Sequence, residues 1–160
     1  MTINHEIAKH VRGVYRKGNW TVSSLEPHLA DVDYKEATTQ VFGLNSIATL
    51  TFHLNYYVHN VANYLAGEPF QSKDKEAFAH PPINSEDDWQ SLKTTAVADG
   101  ERFAKLIESL PDDVLLTTFI DDKYGNYFRN LIGIVEHIHY HLGQIVLLKK
   151  VIRAKEHSLS

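Results

Sequence analysis

The sequence contains no cysteine among its 160 residues, which excludes disulfides, thiolate metal sites and cysteine nucleophiles. Its net charge is also small, because 16 Lys and Arg against 20 Asp and Glu leave only −4. We therefore expect no nucleic-acid partner, since such proteins use many cations to bind phosphates. No stretch approaches the roughly 18 apolar residues of a membrane span, and the polar first residues do not resemble a signal peptide. These absences predict a cytoplasmic protein without a membrane segment.

The residues that are present fit a globular protein built from helices. With 43% apolar residues, the chain can bury an ordinary hydrophobic core, and we expect a single domain over residues 1–160. Four segments show the spacing of amphipathic helices, and none shows the alternation of a strand. The predicted helices span about residues 3–16, 45–65, 84–110 and 127–153. Four long amphipathic helices predict an all-α fold, a four-helix bundle with long connections.

The segments between these helices predict mostly irregular structure. Residues 18–44 are predicted as a loop with a short helix inside it, where Asp33 and Glu36 have the spacing of a capping box. Residues 67–84 hold three of the five prolines, which predicts an irregular connection. Residues 111–126 are predicted as a further connection, containing either a short helix or an extended piece.

Ten histidines are an unusual number for this length, and two of them interrupt the apolar face of the fourth helix. His137 and His141 are four residues apart, so both project from one face on successive turns, whereas His139 points elsewhere. Burying two imidazoles requires a partner for each ring, and a divalent metal is a shared partner for this spacing. Gly133, one turn earlier, leaves room for such a site. The alternative is that both rings are buried and satisfied by ordinary hydrogen bonds.

The second helix offers a third histidine on a suitable face. His53 begins a polar and aromatic stripe that continues through Tyr57, Asn60 and Tyr64. We predict that these three residues line a substrate pocket, unless they satisfy one another inside the core. His59 lies off that face and is expected in solvent or at an interface.

The predicted metal ligands are His53, His137 and His141. Three neutral imidazoles leave a divalent ion with its full charge and an open position, as in catalytic sites rather than structural ones.

Other metal-binding motifs in the sequence are weaker. His5 and His10 are one residue too far apart for the metalloprotease pattern. Glu136 and His139 form one Glu-x-x-His motif, but a di-iron bundle needs two.

The segment His137-Ile-His-Tyr-His141-Leu-Gly-Gln144 resembles the His-x-x-x-His-x-Gly-Gln signature of the DinB superfamily, the DinB/YfiT-like metalloenzymes. Upstream, Ser46-Ile-Ala-Thr-Leu-Thr-Phe-His53 is similar to that family's second-helix segment, which carries its first ligand histidine. The order of these histidines and the chain length extend the resemblance over essentially the whole domain. One departure is Leu142, where the family often has arginine after the last ligand, so no role of that arginine can be transferred.

The resemblance implies a four-helix bundle in which the three histidines hold a divalent ion, commonly nickel or zinc. It also implies a small-molecule substrate and a homodimer, which is frequent among these bacterial proteins. Characterised relatives use low-molecular-weight thiols such as bacillithiol or mycothiol, and act as S-transferases or isomerases. Because this chain has no cysteine, any thiol would come from outside the protein.

Three hypotheses are open on the sequence alone. The first is a metal-dependent enzyme, either a thiol-dependent S-transferase or a hydrolase, because a metal can activate a thiol or a water in the same way. The second is a non-catalytic bundle that binds a metal or another ligand, such as a stress-response protein. The third is an ordinary bundle with incidental histidines.

Overall fold

Helices account for 66% of the residues in the computed structural model, which describes the backbone of residues 2–159 and the side chains of residues 2–155. Six α-helices follow one another, and no β-strand occurs in the described residues. They are α1 (Ile3–Tyr15), α2 (Leu25–Leu29), α3 (Tyr34–Thr38), α4 (Ile47–Leu65), α5 (Glu86–Glu108) and α6 (Tyr127–Leu159). The all-α class predicted from the sequence is confirmed.

Polar side chains set the starts of the four long helices. Each accepts a hydrogen bond from a backbone N–H of the first turn, which has no acceptor within the helix. The pairs are Thr2 with His5 (3.4 Å) in α1, Ser46 with Thr49 (3.1 Å) in α4, Ser85 with Asp88 (3.2 Å) in α5, and Asn126 with Arg129 (2.9 Å) in α6. Gly67, at φ +93°, follows the end of α4 as predicted, because a left-handed residue closes the last turn.

The four long helices pack on one another through their apolar faces. α4 contacts both α5 and α6, and α1 also contacts both. The shared core includes Trp89 and Phe103 of α5 and Leu131 and Ile138 of α6, all fully buried. The indole of Trp89 donates to the Val32 carbonyl (2.7 Å), which ties α5 to the segment of the short helices. Because α4 lies against α6, side chains of these two helices can meet.

The connections differ in detail from the prediction. The segment between α1 and α4 holds two short helices rather than one, and Asp33 caps α3 by accepting from the Glu36 N–H (2.8 Å). Glu36 does not return a capping-box bond, since its carboxylate pairs with Arg153 of α6 (2.7 Å). Residues 67–85 contain turns without a helix. Residues 111–126 form two short 3-10 helices, Asp112–Leu116 and Asp122–Tyr124, with one isolated bridge between Thr118 and Asn126.

α6 corrects the expectation that no stretch is long and apolar enough to cross a membrane. By length and composition alone, the segment Tyr127–Lys155 is long and apolar enough to cross a membrane. In its most apolar window of 18 residues, however, 44% is buried inside the molecule. The core helix of a soluble protein passes the same test, so this is weak evidence for a membrane span.

Candidate metal centre

Three histidine rings from α4 and α6 converge inside the molecule. His53 of α4 is 5% exposed, His141 of α6 is 7% exposed, and His137 lies one turn before His141. Nε2 of His137 is 3.2 Å from Nε2 of His53 and 3.1 Å from Nε2 of His141. One ring nitrogen of each residue lies within 4.8 Å of those of the other two. The structure therefore brings together the three histidines predicted as ligands, and this cluster could hold a metal ion.

Hydrogen bonds from Nδ1 fix the orientation of two of the rings, and with it the direction in which their Nε2 atoms point. Nδ1 of His53 donates to the Ala77 carbonyl (3.1 Å), and Nδ1 of His141 donates to Oε1 of Gln144 (2.7 Å). Both acceptors are oxygens that cannot donate, so the proton of each neutral ring lies on Nδ1 and the lone pair lies on Nε2. Both lone pairs point toward Nε2 of His137. Outer hydrogen bonds of this kind orient histidine ligands for a metal.

His137 shows that the three rings do not satisfy one another by hydrogen bonds alone. Its Nε2 lies near two lone pairs, and a single proton there can form a good hydrogen bond with only one of them. Its Nδ1 is buried and has no hydrogen-bond partner among the described residues. A divalent cation accepts three imidazole lone pairs at once. The donor set therefore fits a metal better than it fits a hydrogen-bonded core.

Burial keeps the three imidazoles neutral. It is the main cause that lowers the pKa of His137 to about 4, and the neighbouring His141 and His53 lower this pKa further. Burial also lowers the pKa of His53 and that of His141, against the opposing effect of the hydrogen bonds to Ala77 and Gln144. Metal binding requires unprotonated imidazole nitrogens, so this environment holds the rings in the binding state near neutral pH.

Aromatic rings and the connection 67–85 surround the cluster. The Phe78 ring stacks on the His53 ring, with centroids 3.8 Å apart and 12° between the planes. The Tyr57 ring meets His53 and His137 edge-on, with centroid distances of 5.3 and 5.0 Å. The Tyr57 hydroxyl donates to Asp74 of the same connection (3.4 Å), and burial together with Asp74 raises the pKa of Tyr57. Tyr57 thus lies beside the cluster, where the helical spacing places it.

The other two predicted pocket residues lie further along α4. Asn60 is partly buried, and its Nδ2 has no hydrogen-bond partner within the described part of the chain. Within residues 2–155, the ring of Tyr64 packs against Phe70, Phe119 and Tyr127 and not against any of the three histidines. Tyr64 therefore belongs to an aromatic cluster of its own, whereas Asn60 keeps an unpaired donor.

Two other histidines lie outside the cluster, as their positions around the helices predict. Nδ1 of the half-exposed His59 donates to Oδ2 of Asp99 on α5 (3.0 Å). Asn55 donates to the same oxygen (2.9 Å), so Asp99, which interrupts the apolar stripe of α5, is a buried acceptor between α4 and α5. Nδ1 of His139 donates to the Val135 carbonyl of its own helix (3.1 Å).

Some groups that contact the clustered histidines are not evident from the sequence. The spacing of His141 and Gln144, three residues apart on one helix, is a signal that could reveal their contact. Phe78 and the Ala77 carbonyl lie in an irregular connection, for which no sequence pattern indicates a contact with His53. Leu142 is buried in the core, so the position where the family often has arginine makes apolar contacts here.

The fold and the cluster define the class: an all-α protein with three histidines that could hold a metal. A sequence model of the DinB superfamily matches residues 18–145, more than half of the chain, and this range includes all three histidines. The chain belongs to the DinB superfamily, as its histidine motifs indicate. The comparisons with curated proteins and with solved structures gave no match.

Proposed function

We propose that this protein binds a divalent metal through His53, His137 and His141 and is a metal-dependent enzyme. The observation that carries the proposal is the convergence of the three Nε2 atoms, two of which are directed inward by hydrogen bonds on Nδ1. Membership of the DinB superfamily supports it. Nickel and zinc are the proposed metals, because both bind imidazole nitrogen well.

The proposed reaction is S-transfer from a low-molecular-weight thiol, or hydrolysis, with a small molecule as substrate. A divalent ion with three protein ligands supplies positive charge at an open position, which lowers the pKa of a thiol or a water bound there. The chain's own residues would orient the substrate. Tyr57 and Phe78 provide aromatic walls next to the ligands, and Asn60 provides an unpaired amide N–H.

The proposed architecture is one domain over residues 1–160, a four-helix bundle of α1, α4, α5 and α6, supported by the contacts of α1 and α4 with both α5 and α6. We propose a cytoplasmic homodimer without a nucleic-acid partner. Sedimentation velocity over a range of concentrations measures the assembly, and a monomer throughout would contradict the dimer.

Metal analysis of protein purified without a His tag tests the ligand set. We expect nearly one equivalent of nickel or zinc in the wild type and strong loss in His53→Ala and His137→Ala. His59→Ala and His139→Ala are matched controls, because both remove a histidine of the same two helices outside the cluster. Equal losses in all four variants, or only a trace of metal in the wild type, would contradict the proposed site.

Turnover assays test the proposed chemistry separately. Transfer of several low-molecular-weight thiols to electrophiles, and hydrolysis of a panel of esters and amides, would be measured with and without a chelator. We expect turnover that the chelator abolishes and added metal restores. A metal-loaded protein without chelator-sensitive turnover in either panel would favour the non-catalytic binding hypothesis instead.

A further inference from the structure

An apolar groove lies between the segment that precedes and opens α4 and the second half of α6. Its volume is about 400 Å³. The two polar side chains that line it are the amides of Asn45 and Gln144, and no charged side chain lines it. The apolar lining includes Val41, Phe42, Leu44, Leu50, Leu147 and Val151. The three clustered histidines do not line it, and the groove adjoins the candidate metal centre only through Gln144, whose Oε1 accepts from His141.

The rim of this groove exposes large apolar side chains to solvent. Phe42 is 76% exposed, and Leu147 is 63% exposed. Phe42 has φ +54°, which is uncommon for a bulky residue, and the Leu44 N–H donates to the Val41 carbonyl across it (3.0 Å). This turn holds the Phe42 ring at the rim. A contiguous exposed apolar surface with a concave floor is typical of a binding site.

A cation lies beside the rim of the groove, where Lys155 contacts Phe42 without lining the groove itself. Nζ of Lys155 is 4.0 Å from the centroid of the Phe42 ring. No ion pair among residues 2–155 uses Lys155, unlike Lys149 and Arg153, which pair with Asp31. Lys155 lies one helical turn beyond Val151, and the groove extends about 10 Å along α6 from Gln144 to Val151 at the helical rise. A ligand that complements the apolar groove and the Lys155 ammonium group carries an anionic group on an apolar chain.

We propose that the groove binds an amphipathic carboxylate, a medium-chain fatty acid anion, with its chain along Leu50 and Leu147 and its carboxylate at Lys155. The apolar chain leaves water for the apolar lining, which is the main source of affinity. The carboxylate pairs with the ammonium group and selects against neutral and cationic ligands of the same length. This proposal does not depend on a metal in the histidine cluster.

Calorimetric titration of the full chain with three ligands of equal length tests the proposal. The ligands are octanoate, octan-1-ol and octylammonium, all below the concentrations at which they aggregate. We expect saturable binding of octanoate to one site, weaker binding of the alcohol and the weakest binding of the ammonium. Octanoate that binds without saturation, or no better than octylammonium, would overturn the proposal.

Two variants and one control variant locate the binding. Leu147→Asp places a carboxylate on the apolar wall and should weaken octanoate binding by about tenfold or more. Leu116→Asp is the matched control, because Leu116 is also highly exposed (78%) but lies outside the groove, and it should bind octanoate as the wild type does. Lys155→Gln should reduce the affinity for octanoate to that for octan-1-ol. Unchanged circular dichroism would show that the variants fold.

The opposite outcomes overturn the proposal. Equal octanoate binding by Leu147→Asp and the wild type would place the ligand elsewhere. A wild-type dimer that Leu147→Asp converts to a monomer in sedimentation velocity, while Leu116→Asp does not, would show that a second copy of the chain covers the groove.

Discussion

Each histidine of the cluster has a second ring nitrogen, and the contact of that nitrogen would affect how well the first one binds a metal. His53 and His141 each donate from Nδ1 to an oxygen, whereas Nδ1 of His137 has no partner among the described residues. Two rings are therefore oriented by hydrogen bonds. The third is held by ring contacts, including the edge-on contact with Tyr57.

The substitution Gln144→Leu should weaken metal binding by about tenfold or more, because it removes the acceptor that orients His141. Competition with a chromophoric chelator measures the affinity. Gln144→Glu is the matched control, since it retains an acceptor oxygen and should bind at least as tightly as the wild type. Wild-type affinity in the leucine variant would show that this hydrogen bond does not prepare the ligand.

Between helices α4 and α5, the carboxylate of Asp99 forms a buried polar contact. Asp99 is buried and accepts hydrogen bonds from both Asn55 and His59. Such a buried network is stabilising only while every donor has an acceptor, because a buried donor without one has lost its hydrogen bond to water and gained none in return. The two helices are thereby fixed in register at this point.

The substitution Asp99→Ala should lower the free energy of unfolding by about 1–3 kcal/mol, since it leaves the buried Asn55 amide without its acceptor. Urea denaturation followed by circular dichroism measures this change. Glu136→Ala, on the exposed face of α6, is the control and should change it by less than about 0.5 kcal/mol. Equal stability of the two variants would mean that the Asp99 contacts contribute nothing net.

At the scale of the whole molecule, ion pairs join segments that are far apart in sequence. Arg12 of α1 pairs with Glu108 of α5 (2.5 Å), and its hydrogen bond is the main cause that lowers the pKa of Glu108 below its ordinary value of 4.5. Lys149 and Arg153 of α6 similarly lower the pKa of Asp31 below 3.8. A lowered carboxyl pKa means that the unfolded chain takes up protons first as the pH falls. The stability from these pairs is therefore fully present above about pH 5 and is lost as the pH falls through the folded-state pKa values.

The thermal midpoint of the wild type should accordingly fall as the pH is lowered from about 6 to about 3. Glu108→Gln should unfold at a lower temperature than the wild type near neutral pH, and this difference should shrink in acid, where Glu108 is protonated in both states. Glu136→Gln should follow the wild type at every pH. A constant difference between Glu108→Gln and the wild type across the range would contradict the ion-pair contribution.

The molecule also shows why prediction from sequence succeeds for some parts and stops at others. The long helices and their caps follow from local patterns, such as Ser46 before the apolar spacing of α4. The convergence of His137 and His141 is predictable because one helix fixes their angular positions.

The contacts of Phe78 and Ala77 with His53 depend on how an irregular connection folds back, which no local pattern encodes. Tyr64 shares a helix face with His53, but its distance along the axis places it among other aromatic rings.

The connection that covers His53 has a consequence for kinetics. Phe78 lies flat on the ring, and the Ala77 carbonyl accepts from its Nδ1, so we expect the connection to move when a metal ion enters or leaves on this side. The strength of coordination would then set how much metal is held, whereas the opening of the connection would set how fast it exchanges. The rate of metal removal should therefore reach a plateau as chelator concentration rises, and Phe78→Ala should raise that plateau. A rate that increases in proportion to chelator concentration without limit would show that the ion is freely accessible.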